Sequence, residues 1–135
     1  MSLFVFDDSL KLGIKALDEQ HSRFIGYIND TWDALDQGKP QDEFLYILNR
    51  LLDYAMEHLS AEEALMQEHD YPDYAAHKAL HNETAADLFE FDLRLLAGDP
   101  EESRAFLQFL TDWLNNHIRV TDRALAAFLK HKGVS

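Results

Sequence analysis

Two pairs of ligand-type residues in this sequence have the spacing of one helical turn. His58 and Glu62 are four residues apart, and so are His77 and His81. Residues with this spacing lie on one face of a helix. Because the chain has seven histidines, such a pair arises readily by chance, and each pair taken alone favours a structural or surface role.

Three further ligand-type residues lie on or beside apolar helical stripes. His21 precedes Phe24 by three residues, and His117 follows Trp113 by four. Asp122 follows His117 by five residues, which rotates it by about 140° on a continuing α-helix. The neighbours Leu80, Thr84 and Leu88 indicate that the His77–His81 face points inward.

Glycine and proline divide the chain into four periodic blocks. They cluster at 38–40, 71–72 and 98–100, where turns are expected. Within each block, apolar residues recur every three or four positions, which is typical of amphipathic helices. Gly98, Asp99 and Pro100 suit a helix end, an N-cap and a first helical position. The predicted helices cover 18–37, 41–69, 72–97 and 100–118, and a short helix follows near 122–131.

Short connections make consecutive helices antiparallel. We therefore predict an all-α fold, an up-down-up-down four-helix bundle with an N-terminal arm over 1–17 and a short C-terminal helix. Phe4, Phe6, Leu12 and Ile14 are expected to attach the arm to the bundle. A length of 135 residues suits one domain, 1–135, with a single core.

This fold brings the ligand-type residues together at one end of the core. Counted along antiparallel helices from the predicted loops, they form two layers that are separated by one turn. The first layer contains His21, His58, His81 and His117, and the second contains Glu62, His77 and Asp122.

Five imidazoles and two carboxylates cannot be buried without partners. Two carboxylates cannot satisfy five histidines, whereas a dimetal centre with bridging carboxylates uses all seven side chains. Imidazole suits iron, zinc, copper or nickel rather than magnesium or calcium. Seven ligands and one bridging solvent oxygen do not fill two six-coordinate ions, so one position stays open.

Composition excludes other classes of site and partner. No cysteine is present, which excludes disulfides, thiolate zinc sites and iron–sulfur clusters. A net charge of -13 opposes nucleic-acid binding. The N-terminus lacks the basic region of a signal peptide, and no apolar stretch suits membrane insertion. We expect a cytoplasmic protein.

The ordered signature resembles the hemerythrin family, and within it the bacterial single-domain type. It consists of His21 in the sequence DEQH, His58-x-x-x-Glu62, His77-x-x-x-His81 and His117-x-x-x-x-Asp122. The similarity covers nearly the whole chain and includes Leu12-Gly13-Ile14, the sequence EALM after Glu62, and the sequence YPDY at 71–74.

The resemblance implies a role for each matching residue. One iron would be bound by His77, His81 and His117, and the other by His21 and His58. Glu62 and Asp122 would bridge the two irons together with an oxo or hydroxo group. Dioxygen would bind at the two-histidine iron, which implies reversible binding for storage, delivery or sensing rather than catalysis.

One departure from the family pattern lies next to a predicted ligand. Leu59 follows His58 directly, where the family usually has phenylalanine. The smaller side chain either widens the ligand pocket or is compensated by a neighbouring aromatic residue. Two other functions stay open, namely redox chemistry on peroxide or nitric oxide at the same irons and a purely structural metal site. A protein recipient or redox partner cannot be read from the sequence.

Overall fold

Four long helices form the framework of the protein. The computed structural model describes residues 4–95 and 99–135. Helix α1 spans Lys15–Asp36, α2 spans Gln41–Glu68, α3 spans Tyr74–Leu95 and α4 spans Pro100–Asn116. A π-helical segment, His117–Asp122, leads directly into α5, Arg123–His131.

The helices form a closed ring of neighbours. Helix α1 contacts α2, α2 contacts α3, α3 contacts α4, and α4 contacts α1. This arrangement is the predicted up-down-up-down bundle, and the short C-terminal helix is also present. Its core contains the fully buried side chains of Phe24, Leu51, Phe106 and Leu110. None of the helices in the described ranges combines the length and the apolar character that crossing a membrane requires.

The helix ends follow local capping. The Asp99 side chain accepts a hydrogen bond from the Glu101 backbone N–H at 3.0 Å, and Pro100 occupies the first turn of α4, as predicted. Gly38, with φ +66°, follows the end of α1. The predicted role of Gly98 and the predicted end of the third helix at residue 97 lie outside the described residues.

Helix α1 begins three residues earlier than the predicted residue 18. The Asp18 carboxylate accepts hydrogen bonds from the backbone N–H groups of Leu12 and Gly13, at 2.8 and 3.1 Å. This carboxylate ties the arm to the first turn of α1, so the helix starts at Lys15 without a side-chain cap from Ile14.

The N-terminal arm lies on the bundle as expected. Phe4, Leu12 and Ile14 are buried, and Phe6 is half-buried against the core. The Asn29 side chain accepts from the Phe4 backbone N–H at 2.9 Å and donates to its carbonyl at 2.7 Å. These contacts hold the arm beside the helix that carries His21.

Candidate metal centre

All seven predicted ligand residues lie inside the bundle. Helix α1 supplies His21, α2 supplies His58 and Glu62, α3 supplies His77 and His81, and the π-helical segment supplies His117 and Asp122. Their exposed fractions range from 0 to 3%. The structure therefore brings together every side chain that the spacing singled out.

The π-helical segment aligns His117 with Asp122. An α-helix would rotate these residues apart by about 140°, and that geometric expectation is wrong here. Hydrogen bonds of the i→i+5 type wind the chain more widely, so residues five apart lie roughly above one another. The Nε2 of His117 is 3.0 Å from Oδ1 of Asp122. The sequence signal for the π-helical segment is the spacing of five residues between His117 and Asp122.

The two oxygens of Glu62 face different histidines. Its Oε1 lies 3.0, 3.1 and 3.2 Å from the Nε2 atoms of His77, His81 and His117, which we call the three-histidine group. Its Oε2 lies 3.0 and 3.5 Å from the Nε2 atoms of His58 and His21, the two-histidine group. One carboxylate thus spans both groups.

Asp122 spans the same two groups from the opposite side. Its Oδ1 is 3.0 Å from the Nε2 of His117 and 3.3 Å from that of His77. Its Oδ2 is 2.7 Å from the Nε2 of His21. Each carboxylate therefore offers one oxygen to each histidine group.

Several of these close contacts are not hydrogen bonds. His58 Nε2, Glu62 Oε2 and Asp122 Oδ1 are buried and have no hydrogen-bond partner, although His58 Nε2 and Glu62 Oε2 are 3.0 Å apart. The Nε2 atoms of His81 and His117 lie 3.4 Å apart, within hydrogen-bond distance. Buried nitrogen and oxygen atoms that converge on one point and lack hydrogen-bond partners fit a shared cation.

Two sets of donors could each hold a metal ion. The first is Glu62 with the three-histidine group, and the second is Glu62 and Asp122 with the two-histidine group. Within each set the ligand atoms lie within 4.8 Å of one another. Imidazole nitrogens with carboxylate oxygens suit a transition metal such as iron.

Strong electrostatic coupling joins the histidines and carboxylates. Burial lowers the pKa of His21, but its hydrogen bond with Asp122 and its interaction with Glu62 outweigh that effect and raise the pKa to about 9. Asp122 and Glu62 likewise outweigh burial at His77 and raise its pKa to about 9. They raise the pKa of His117 to about 10, and the negative charge of Asp122 makes the largest contribution to that rise. Burial raises the pKa of Glu62, yet His58 and His117 hold it well below its usual value.

Two residues beside the cluster were missed by the sequence analysis. The Gln20 Oε1 lies 3.0 Å from Nδ1 of His58, and the Glu63 Oε2 lies 3.0 Å from Nδ1 of His81. Burial raises the pKa of Glu63, but its bonds to Lys78 and His81 lower it overall. Both residues directly adjoin a predicted ligand in sequence, which was the available signal.

Other sequence expectations have mixed outcomes. Leu80 does not mark the inward face of α3, because it is 45% exposed, whereas Thr84 and Leu88 are buried. It precedes His81 by one residue, which is about 100° around the helix. Outside the cluster, His131 is exposed and His69 is half-buried, with 25% of its side chain exposed.

Sequence and structural comparisons agree with this geometry. Residues 12–129 match the family described as the hemerythrin HHE cation binding domain. The chain is 36% identical over 130 residues to a bacteriohemerythrin of Stenotrophomonas maltophilia, covering 96% of this chain and 84% of that protein. A bacteriohemerythrin of Pseudomonas aeruginosa is 33% identical over 131 residues, covering 97% and 84%.

A solved structure shares the architecture. The crystal structure of a wild-type hemerythrin superposes with a TM-score of 0.82 at 28% identity, covering 95% of this chain and 98% of that one. The matched range contains all seven buried side chains of the cluster. Their order, their burial and the bundle that positions them lead to one conclusion, that the chain belongs to the hemerythrin family.

Proposed function

We propose that this protein binds dioxygen reversibly at a pair of iron ions, for oxygen storage, delivery or sensing. The observation that carries the proposal is that the two oxygens of each carboxylate face different histidine groups. Glu62 and Asp122 each direct one oxygen to the three-histidine group and the other to the two-histidine group. Membership of the hemerythrin family supports iron as the metal and oxygen as the ligand.

The donor count favours an asymmetric pair. The three-histidine group with two carboxylate oxygens offers five donors, and the two-histidine group with two carboxylate oxygens offers four. A bridging solvent oxygen adds one donor to each, so the two-histidine site has one position for an exchangeable ligand. Iron would supply that position and the electrons that dioxygen takes up.

Apolar side chains are buried on the two helices that carry the two-histidine group. Phe24 is fully buried, and its ring lies edge-on to His58 with centroids 5.5 Å apart. Leu59 is also buried, with an exposed fraction of 3%. An apolar wall limits access of water and protons, which favours release of dioxygen over irreversible oxidation.

We further propose that residues 1–135 act as one domain, because the arm and α5 pack on the same bundle.

Metal analysis combined with absorption spectroscopy tests this proposal. We expect two irons per chain and an oxygen-bound spectrum that disappears on deoxygenation and returns with air. His131→Ala serves as the matched control, since His131 is exposed and lies outside the cluster, whereas His58→Ala should lose the response. Rapid oxidation with turnover of peroxide or nitric oxide would instead indicate a redox enzyme. Stoichiometric iron with no spectral response to oxygen would indicate a structural metal site.

A further inference from the structure

The five histidines of the cluster differ in what their outer nitrogens contact. All five direct Nε2 toward the bridging carboxylates, which leaves Nδ1 on the outer side of each ring. Nδ1 of His81 lies 3.0 Å from a carboxylate oxygen of Glu63, and Nδ1 of His58 lies 3.0 Å from the amide oxygen of Gln20. The buried Nδ1 atoms of His21 and His77 have no hydrogen-bond partner.

Glu63 is held in place by a second contact. Lys78, on α3, donates from Nζ to Oε1 of Glu63 at 2.5 Å, while Oε2 of Glu63 accepts from His81. The Glu63 side chain is 18% exposed and that of Lys78 is 42% exposed. Each carboxylate oxygen thus has its own partner, and the ammonium group keeps Glu63 anionic and oriented toward the imidazole.

An anionic acceptor acts on a metal ligand differently from a neutral one. Hydrogen bonds with an ionised partner are roughly twice as strong as neutral ones. When Nε2 binds a cation, the ring proton remains on Nδ1, and a carboxylate at that position fixes the ring and makes Nε2 a stronger donor. Gln20 can fix the His58 ring but adds no charge.

We infer that Glu63 is a positioning residue that, through His81, makes the three-histidine group the tighter of the two metal sites. The inference rests on the proposed pair of metal ions. It assigns part of the difference between the two sites, in addition to the larger number of donors in the three-histidine group, to a residue that does not itself contact the metal. The weaker site is then the one with the exchangeable position.

Titration of the metal-free protein with cobalt(II) tests this inference without dioxygen. Competition with a chelator should resolve two dissociation constants in the wild type. We expect Glu63→Gln to raise the smaller dissociation constant, that of the three-histidine group, by about tenfold to a hundredfold. The larger dissociation constant should stay unchanged. Glu63→Ala should raise the smaller constant further, because it removes the acceptor as well as the charge. Glu68→Gln, an equal charge change on the exposed end of α2, is the matched control.

Proton NMR of the cobalt-loaded protein supplies a second readout. The Nδ1 proton of His81 should give a hyperfine-shifted resonance that exchanges slowly with water, since Glu63 accepts it. In Glu63→Gln this resonance should shift and exchange faster, while the one from His58 stays in place. Circular dichroism establishes that each variant is folded.

The inference fails when both dissociation constants move together in Glu63→Gln, or when neither moves in a folded Glu63→Ala variant. This failure is separate from that of the proposed function. Iron-loaded wild type without a reversible oxygen spectrum would overturn the function and leave the cobalt comparison standing.

Discussion

The Trp113 ring stacks on the imidazole of His117, with ring centroids 4.5 Å apart and planes inclined by 14°. Both rings line a cavity of about 300 Å³ between α3 and α4, together with Leu80 and Thr84. His117 is only 3% exposed. The indole therefore covers one face of the His117 imidazole beside this cavity.

Trp113→Ala should shorten the lifetime of the oxygen-bound protein. Loss of the indole opens the cavity toward His117, so water reaches the three-histidine group and autoxidation accelerates several-fold. We also expect the free energy of unfolding to fall by about 2 kcal/mol, since the ring is only half-buried. Decay of the oxygen-bound absorbance and chemical denaturation measure the two effects. Trp113→Phe keeps an aromatic ring over His117 and should stay near the wild-type rate; an unchanged rate in Trp113→Ala would contradict this role.

Glu62→Gln should reduce the metal content. An amide has only one oxygen to offer, so it cannot serve both histidine groups as the carboxylate does. We expect fewer than two irons per chain after reconstitution, with the helical circular dichroism retained. Glu68→Gln changes the same charge at the exposed end of α2 and should keep two irons. Full iron content in Glu62→Gln would show that the bridge is dispensable.

Leu59→Phe should slow autoxidation. Leu59 adjoins His58 and is buried, and a larger side chain there would narrow the space beside the two-histidine group. The added volume should cost about 1–3 kcal/mol of unfolding free energy. The measurement is the decay of the oxygen-bound absorbance in air, and Leu59→Ile serves as the control of similar volume. Equal or faster decay in Leu59→Phe would refute the prediction.

The metal-free protein, from which a chelator has removed the metal, should lose stability as the pH rises. Burial lowers the pKa of His21, His77 and His117 in the folded protein, but Asp122 and Glu62 outweigh that effect. They raise the pKa of the first two to about 9 and that of His117 to about 10, above the ordinary histidine value of 6.5. Their protonation therefore stabilises the fold fully below pH 6.5, and that stabilisation disappears as the pH passes through about 9 to 10.

Thermal unfolding from pH 6 to 10 checks this sign. The chelated protein should show a falling Tm across the window, whereas the iron-loaded protein should not, since metal binding displaces these protons. For the same reason iron affinity should fall as the pH is lowered. A Tm of the chelated protein that stays constant to pH 10 would contradict the coupling.

Asp18→Ala should destabilise the arm and the first turn of α1. The Asp18 carboxylate accepts from the backbone N–H groups of Leu12 and Gly13, so its removal leaves two donors without this partner. We expect a loss of about 1 kcal/mol of unfolding free energy. Urea denaturation measures it, with the exposed Asp30→Ala on the same helix as the control. A loss no larger than that of Asp30→Ala would argue against an anchoring role.

The local pattern of residues was sufficient to predict the helices and the candidate ligands. Apolar spacing and turn residues located α1 to α4, and the four-residue spacing of His58 and Glu62 required both to share a face. These properties depend on neighbours within one or two turns, which the sequence states directly. The start of α1 was predicted three residues too late, because the contact of the Asp18 side chain with the Leu12 backbone is not part of the apolar periodicity.

The tertiary structure decided how the candidate ligands are grouped and which other residues hold them. The π-helical turn departs from regular winding and thereby aligns His117 with Asp122. Two further features join separate helices: the Glu62 oxygens face two different histidine groups, and Glu63 contacts His81. Spacing along one helix specifies a face, but it does not specify which atoms on another helix meet that face. The residues of the cluster are therefore determined by the sequence, whereas its asymmetry results from packing between helices.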